Sequence, residues 1–177
     1  MQGFINSANS NGGYYIGRYE ASDGMATEDR TSSTSDTNRM EVRKNRFVYN
    51  FVTQLQAAEL CRNMYTNEEY TTDLVNGYAW DTAIVFIQNF GQSNYSKQIS
   101  FTSGTVSMTG NTGGDEQLHI NDMASNVIEW TTETSNDLGY PCSNRGGGYS
   151  STTTDSRQSE RTIENESYYG FRPILYI

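Results

Sequence analysis

The side chains best suited to covalent or metal chemistry are few in this 177-residue sequence: two cysteines, Cys61 and Cys142, and one histidine, His119. A structural zinc ion takes about four nitrogen or sulfur ligands in tetrahedral geometry. No Cys-x-x-Cys pair and no second histidine stand ready to complete such a set. Nucleophilic catalysis asks for a hydroxyl or thiol, a base and a group that orients the base. His119 has no such constellation around it in sequence, so it reads as a surface or capping residue. The cysteines lie far apart and read as two free thiols. A disulfide between them stays open, because pairing does not follow from sequence.

The composition bounds what remains. Twelve Lys and Arg against 21 Asp and Glu leave a formal net charge of -9. That charge repels phosphate backbones, and no basic cluster interleaves with aromatic residues, so no nucleic-acid partner is expected. No apolar run approaches the roughly 18–20 residues of a membrane span, so no membrane insertion is expected. Met1 to Ser10 is polar and lacks the apolar core of a signal peptide. Only 34% of residues are hydrophobic, yet 13 Tyr, 7 Phe and 2 Trp supply the large apolar groups that disordered chains lack. The sequence reads as one folded domain over residues 1–177, polar outside, with a core that leans on rings.

The elements that would position any site are short. Gly12 to Ala21, GGYYIGRYEA, alternates as a half-buried strand does. Residues 22–45 are polar and aperiodic and read as a long loop. Phe51 to Tyr65 carries the clearest helical pattern, with Thr53 as N-cap and Leu55, Ala58, Cys61 and Tyr65 at helical spacing. Gly77 to Phe90 predicts a second helix with Trp80, Ile84 and Ile87 on one face. Residues 91–116 hold at most short strands. From Ile120 onward, short strands alternate with loops, closing on YYGFRPILYI as a buried terminal strand. Two helices, small antiparallel sheets and much irregular chain make an α+β fold. No internal repeat is present.

Ordered blocks along the chain resemble the formylglycine-generating-enzyme and sulfatase-modifying-factor family. Gly13 to Ala21, GYYIGRYEA, is similar to that family's opening strand. Asn121 to Thr131, NDMASNVIEWT, resembles its D-M-A-G-N-V-W-E-W-T, with Ser125 in place of the glycine. Arg145 to Gly148, RGGG, and Gly170 to Arg172, GFR, resemble its R-G-G-S-W and closing G-F-R. The segment around Trp80 falls where the order requires. The resemblance spans nearly the whole chain and implies a C-type-lectin-like fold.

The resemblance also implies which functions to expect. The family's enzymes oxidise a substrate cysteine with two active-site cysteines and copper, and their positions fall here on Ser151 and Ser156. A hydroxyl does not become a soft thiolate ligand, so oxidase chemistry and copper are not expected. The enzymes' calcium segment would carry over as the side chains of Asp122 and Glu129 with the carbonyls of Ser125 and Val127. Hard oxygen donors of that kind suit calcium. The same residues also suit a structural role, Asp122 capping a turn and Glu129 pairing with an arginine.

Closer still are short phage and gut-bacterial members of the fold, some of them variable proteins of diversity-generating retroelements. In those, the stretch between R-G-G and G-F-R is rewritten at template adenines and displayed as a binding face. Here that stretch is YSSTTTDSRQSERTIENESYY, Tyr149 to Tyr169. Its Ser, Thr, Asn, Tyr and Arg suit adaptable binding loops, and a merely solvated loop would look alike. The resemblance implies a non-catalytic domain that binds a protein or glycan receptor, in an extracellular, cell-surface or virion setting. Tyr149, Ser151, Thr153, Asp155, Arg157, Arg161, Asn165 and Tyr168 are the candidate contacts. A structural tail or surface-assembly module of the same fold is the alternative.

Overall fold

Thr53 starts its helix as the sequence predicts, and the surrounding architecture follows from how that helix and the last eight residues pack. In a computed structural model, residues 1–33, 39–65, 69–97, 104–150 and 157–177 are described. The Thr53 hydroxyl accepts from the Gln56 amide while the Gln56 side chain accepts from the Thr53 amide, a reciprocal capping box. The helix α2 spans Gln54–Arg62 and buries Ala57, Ala58, Leu60 and Cys61. Ala58 and Cys61 thus face inward as predicted, joined by Ala57 and Leu60 rather than by Leu55 and Tyr65. Leu55 is 65% exposed and Tyr65 lies beyond the helix end.

The second predicted helix, α3, runs Gly77–Phe90 and buries Trp80, Ile84 and Ile87 as expected. The Asn76 side chain caps it by accepting from the Ala79 amide. A third helix, α1 at Gln2–Asn11, was not expected from the polar N-terminus. It buries only Phe4 and Ser7 and stops at Gly12, whose φ of 80° is left-handed.

The strands are β1 Tyr15–Ile16, β2 Ser22–Asp23, β3 Met40–Glu41, β4 Thr71–Leu74, β5 Glu116–Gln117, β6 Ile120–Asn121, β7 Ile128–Thr134, β8 Cys142–Arg145, β9 Arg157–Glu160, β10 Tyr169–Phe171 and β11 Pro173–Tyr176. They form a three-stranded sheet, β1-β11-β4, a four-stranded sheet, β10-β7-β8-β9, and two small pairs, β2-β3 and β5-β6. The expected long loop at 22–45 thus contains a pair of short strands. The sheets are not all antiparallel either: β10 runs parallel to β7, with Phe171 beside Trp130. The terminal segment, read as one strand, is two. Tyr169–Phe171 joins the four-stranded sheet and Pro173–Tyr176 becomes the middle strand of the other, with Arg172 alone between them.

Two apolar clusters flank that junction. One packs α2 against Trp130, Tyr169 and Phe171, with the Trp130 and Tyr169 rings stacked at 4.5 Å. The other packs α3 against Phe4, Tyr95, Met123 and Ile174. Full burial of each such side chain contributes about 1.5–3 kcal/mol. Together they give an α+β fold whose helices and small sheets leave much irregular chain.

Candidate binding surface

The motif residues shared with the resembling family turn out to build a buried ionic centre. Arg172 is fully buried, and its guanidinium reaches Glu129 Oε1 at 2.6 Å through Nη2 and at 2.9 Å through Nε. Its remaining N–H groups donate to the carbonyls of Gly17 at 2.7 Å and Asn121 at 2.8 Å. The other Glu129 oxygen accepts from the Trp80 indole at 2.9 Å. Burial works against the Arg172 charge, but Glu129 beside it outweighs that and raises its pKa. Glu20 lies in the same interior, accepting from Asn126 Nδ2 at 2.5 Å and from the Val127 amide. Burial, with Asp122 and Glu129 nearby, holds the Glu20 carboxyl well above its ordinary range.

The expected calcium residues meet this centre rather than a separate cage. Asp122, with a left-handed φ of 63°, accepts from the Gly110 amide at 2.6 Å. Burial pushes its pKa up to about 6. The Ser125 hydroxyl donates to Asp115 at 2.6 Å. Ser125 keeps an ordinary φ, so the glycine it replaces is not required there; Asp122 and Asn126 carry the left-handed turns. Glu129 is already the counter-ion of a guanidinium. No group of three or more His, Cys, Asp or Glu among the described residues is arranged to hold a metal ion. In this arrangement Arg172 and Trp80 engage the Glu129 carboxylate, and the Gly110 amide engages one oxygen of Asp122.

Two glycines of the motifs are fixed by space. At Gly146, with φ 86°, a Cβ would lie 3.0 Å from the Met123 carbonyl and 3.2 Å from the Trp80 ring. At Gly170 it would lie 2.4 Å from Val127 Cγ2. These positions are scaffold.

The stretch between them behaves differently. Ser151, Thr153 and Asp155, and also Ser156, lie outside the described residues. From Arg157 to Glu160 the chain forms β9 on the edge of the four-stranded sheet, its side chains alternating outward. It contains no apolar residue, which is why periodicity gave no sign of it. Arg157 is 54% exposed and reaches Glu133 at 2.8 Å, where Arg145 also pairs at 2.7 Å. Residues 161–168 then pass from the β9 edge to the β10 edge. Arg161 is 59% exposed and 3.6 Å from Glu164. Asn165 and Tyr168 are half-buried. Tyr149 hydrogen-bonds through its hydroxyl to Ser167 at 2.8 Å. Tyr149 and the Ser167–Tyr168 segment are thereby brought together, while β9 separates Arg157 from Arg161 along the sheet edge.

Sequence reasoning missed three exposed apolar side chains at one end of this sheet. Cys142 pairs in register with Glu160, so the β7–β8 turn and the start of 161–168 leave the sheet at the same end. There Leu138 is 96% exposed and Ile163 is 69% exposed, with Tyr140 also exposed. A separate cleft of about 440 Å³, lined by Arg39, Met40, Glu41, Leu60, Met64 and Tyr65 among others, shares no residue with the C-terminal stretch.

The groups best suited to covalent chemistry are the two cysteines and His119. Cys61 and Cys142 are buried, unpaired thiols. Burial raises both pKa values, Cys61 by far the more, which disfavours the reactive thiolate. The His119 side chain is 82% exposed, between Arg18 and Glu116 at 3.4 Å each. Among the described residues no helix is long and apolar enough to cross a membrane.

No protein-family model matches the chain, and no curated protein matches it. Solved structures do. Treponema denticola variable protein 1 superposes with a TM-score of 0.54 at 13% identity, covering 93% of this chain and 84% of that one. The crystal structure of CarF superposes with a TM-score of 0.50 at 18% identity, covering 99% of this chain and 82% of that one. At such identities the likeness is one of fold, and it agrees with the helices and sheets above: this chain has an α+β fold of the C-type-lectin-like kind.

Proposed function

We propose that this protein is a non-catalytic binding domain that presents residues 149–168, with the neighbouring turn at Leu138 and Tyr140, to a protein or glycan receptor. One observation carries the reading. Buried motif residues bracket the stretch on both sides, Arg145–Gly148 before it and Gly170–Arg172 after it. Between them, Arg157, Arg161 and Ile163 point outward and contribute nothing to either apolar cluster. Exposed apolar groups beside arginines and tyrosines are the composition of a contact surface, since such groups supply most interface energy.

One fold neighbour is a variable protein, which supports the finer reading that this stretch is rewritten by a diversity-generating retroelement. A cell-surface or particle-borne setting goes with that reading. The buried thiols favour binding over the oxidase chemistry of the resembling enzymes.

The test is a labelled domain applied to a glycan array and to a panel of intact bacterial cells, beside a variant carrying Arg157→Ala, Arg161→Ala, Ile163→Ser and Tyr140→Ala. Binding that the folded variant loses supports the reading. Binding that the variant retains overturns it. A reverse-transcriptase gene and a near-copy of codons 149–169 in the flanking DNA are expected if the stretch is diversified, and their absence would remove the finer reading alone.

A further inference from the structure

Helix α3 carries large apolar side chains on both sides. Its inner face buries Ala79, Trp80, Ala83, Ile84 and Ile87. Its outer face carries Tyr78, Val85, Phe86 and Phe90, which are 70%, 52%, 44% and 72% exposed. The Phe86 and Phe90 rings contact each other at 5.3 Å, and Leu118 continues the patch beside Gly91. A surface helix ordinarily shows a polar outer side, whereas here Thr82 and Asn89 are the exposed uncharged polar residues among these large apolar ones. Here the helix has a single charged residue, Asp81, and its carboxylate is held by Arg145 at 3.3 Å.

We infer that this outer face of α3 is a homotypic docking surface, on which two copies of the chain pack their helices antiparallel about a two-fold axis. Each copy carries a net charge of -9, so two copies repel wherever charged faces meet. On the outer side of α3 the one charge is Asp81, which is already paired with Arg145. Tyr78, Phe86 and Phe90 follow a four-residue spacing with Thr82 between the first two, so an antiparallel partner sets Tyr78 against Phe90 and Thr82 against Phe86. Each residue then meets its complement twice, as a two-fold interface requires. The area suffices as well. Three aromatic rings at these exposures, with Val85 and Leu118, offer on the order of 500 Å² per copy. Two copies reach the roughly 1,000 Å² that a specific interface needs before any rim residue is added.

Sedimentation of the intact chain across a hundredfold concentration range tests this. A shift from the 19.9 kDa monomer toward twice that mass is expected, strengthening with added NaCl as repulsion between the copies is screened. Phe86→Glu with Phe90→Glu should weaken self-association at least tenfold, and a circular-dichroism melt checks that the variant is folded. A wild type that stays monomeric throughout, or a folded variant that associates equally well, overturns the proposal. Oxidative cross-linking adds a readout that does not depend on those substitutions. Tyr78→Cys chains mixed with Phe90→Cys chains should cross-link, and neither alone should. Cross-linking of Tyr78→Cys to itself would reject the antiparallel arrangement. Receptor binding through 149–168 is scored separately, so either reading can fail without the other.

Discussion

Arg172 and Glu129 meet at 2.6 Å with the guanidinium fully buried and the carboxylate 2% exposed, at the one residue separating β10 from β11. The pair is the hinge between two sheets. Arg172→Met should therefore cost about 3–5 kcal/mol, because it leaves Glu129 buried and uncompensated. Adding Glu129→Gln should recover part of that loss, since glutamine still accepts from the Trp80 indole. Urea denaturation of the single and double variants measures the coupling. Additive losses would show that the two residues do not act as a pair.

Stability should fall as pH rises from about 4 to about 6. The Asp122 carboxyl has a folded pKa near 6, above its ordinary value of 3.8, so the folded state holds the proton more tightly. A raised carboxylate pKa gives stability that is present at low pH and lost on passing the folded value. For Asp122 this is on the order of 3 kcal/mol. Glu20, raised in the same direction, adds to the slope with the same sign. Melting temperatures at pH 5 should exceed those at pH 7.5, and Asp122→Asn should flatten the difference. An Asp122→Asn protein with an unchanged pH slope would contradict this assignment.

Chelator and calcium should leave the melting temperature alike. The side chain that would anchor the ion, Glu129, is committed to Arg172 and Trp80. A bound ion stabilises by about RT ln(1 + [L]/Kd), so a rise in millimolar calcium that Asp122→Ala abolishes would restore the site.

Phe171→Ala should cost about 3–5 kcal/mol, because the ring is fully buried against Tyr49 at 5.8 Å. Substituting Ser159, Arg161 and Ile163 with alanine or serine should cost no more than about 0.5 kcal/mol each. Thermal melts of both proteins compare scaffold with display. Loss of folding from the surface set alone would refute that division.

Both thiols should resist a thiol reagent in the native protein and react fully in guanidinium. Cys61 and Cys142 are buried and unpaired, with raised pKa values. A titre below two thiols per chain under denaturing conditions would mean a disulfide.

The parts of this fold legible in sequence are those that carry a local signal. Thr53 with Gln56 announces α2, and the spacing of Trp80, Ile84 and Ile87 announces α3. α1 is silent because only Phe4 and Ser7 of its ten residues are buried. β9, RQSE, is silent because an edge strand needs no apolar face. The ionic centre was half visible. Glu129 and Arg172 lie in recognisable motifs, but Glu20 and Asp115 look like surface carboxylates until the fold encloses them. The division of YYGFRPILYI between two sheets depends on tertiary pairing that periodicity does not encode.

That division has a consequence for synthesis. β1 and β4 have no contact in their sheet except through β11, and β7 lacks its parallel neighbour until β10 exists. The three-stranded sheet therefore waits on residues 173–176, and the four-stranded sheet gains its last edge strand only with residues 169–171. On the ribosome, the polar stretch 149–168 emerges before the strands that close the core, and it adds no apolar residue to the part already made except Ile163 and the tyrosines at its ends.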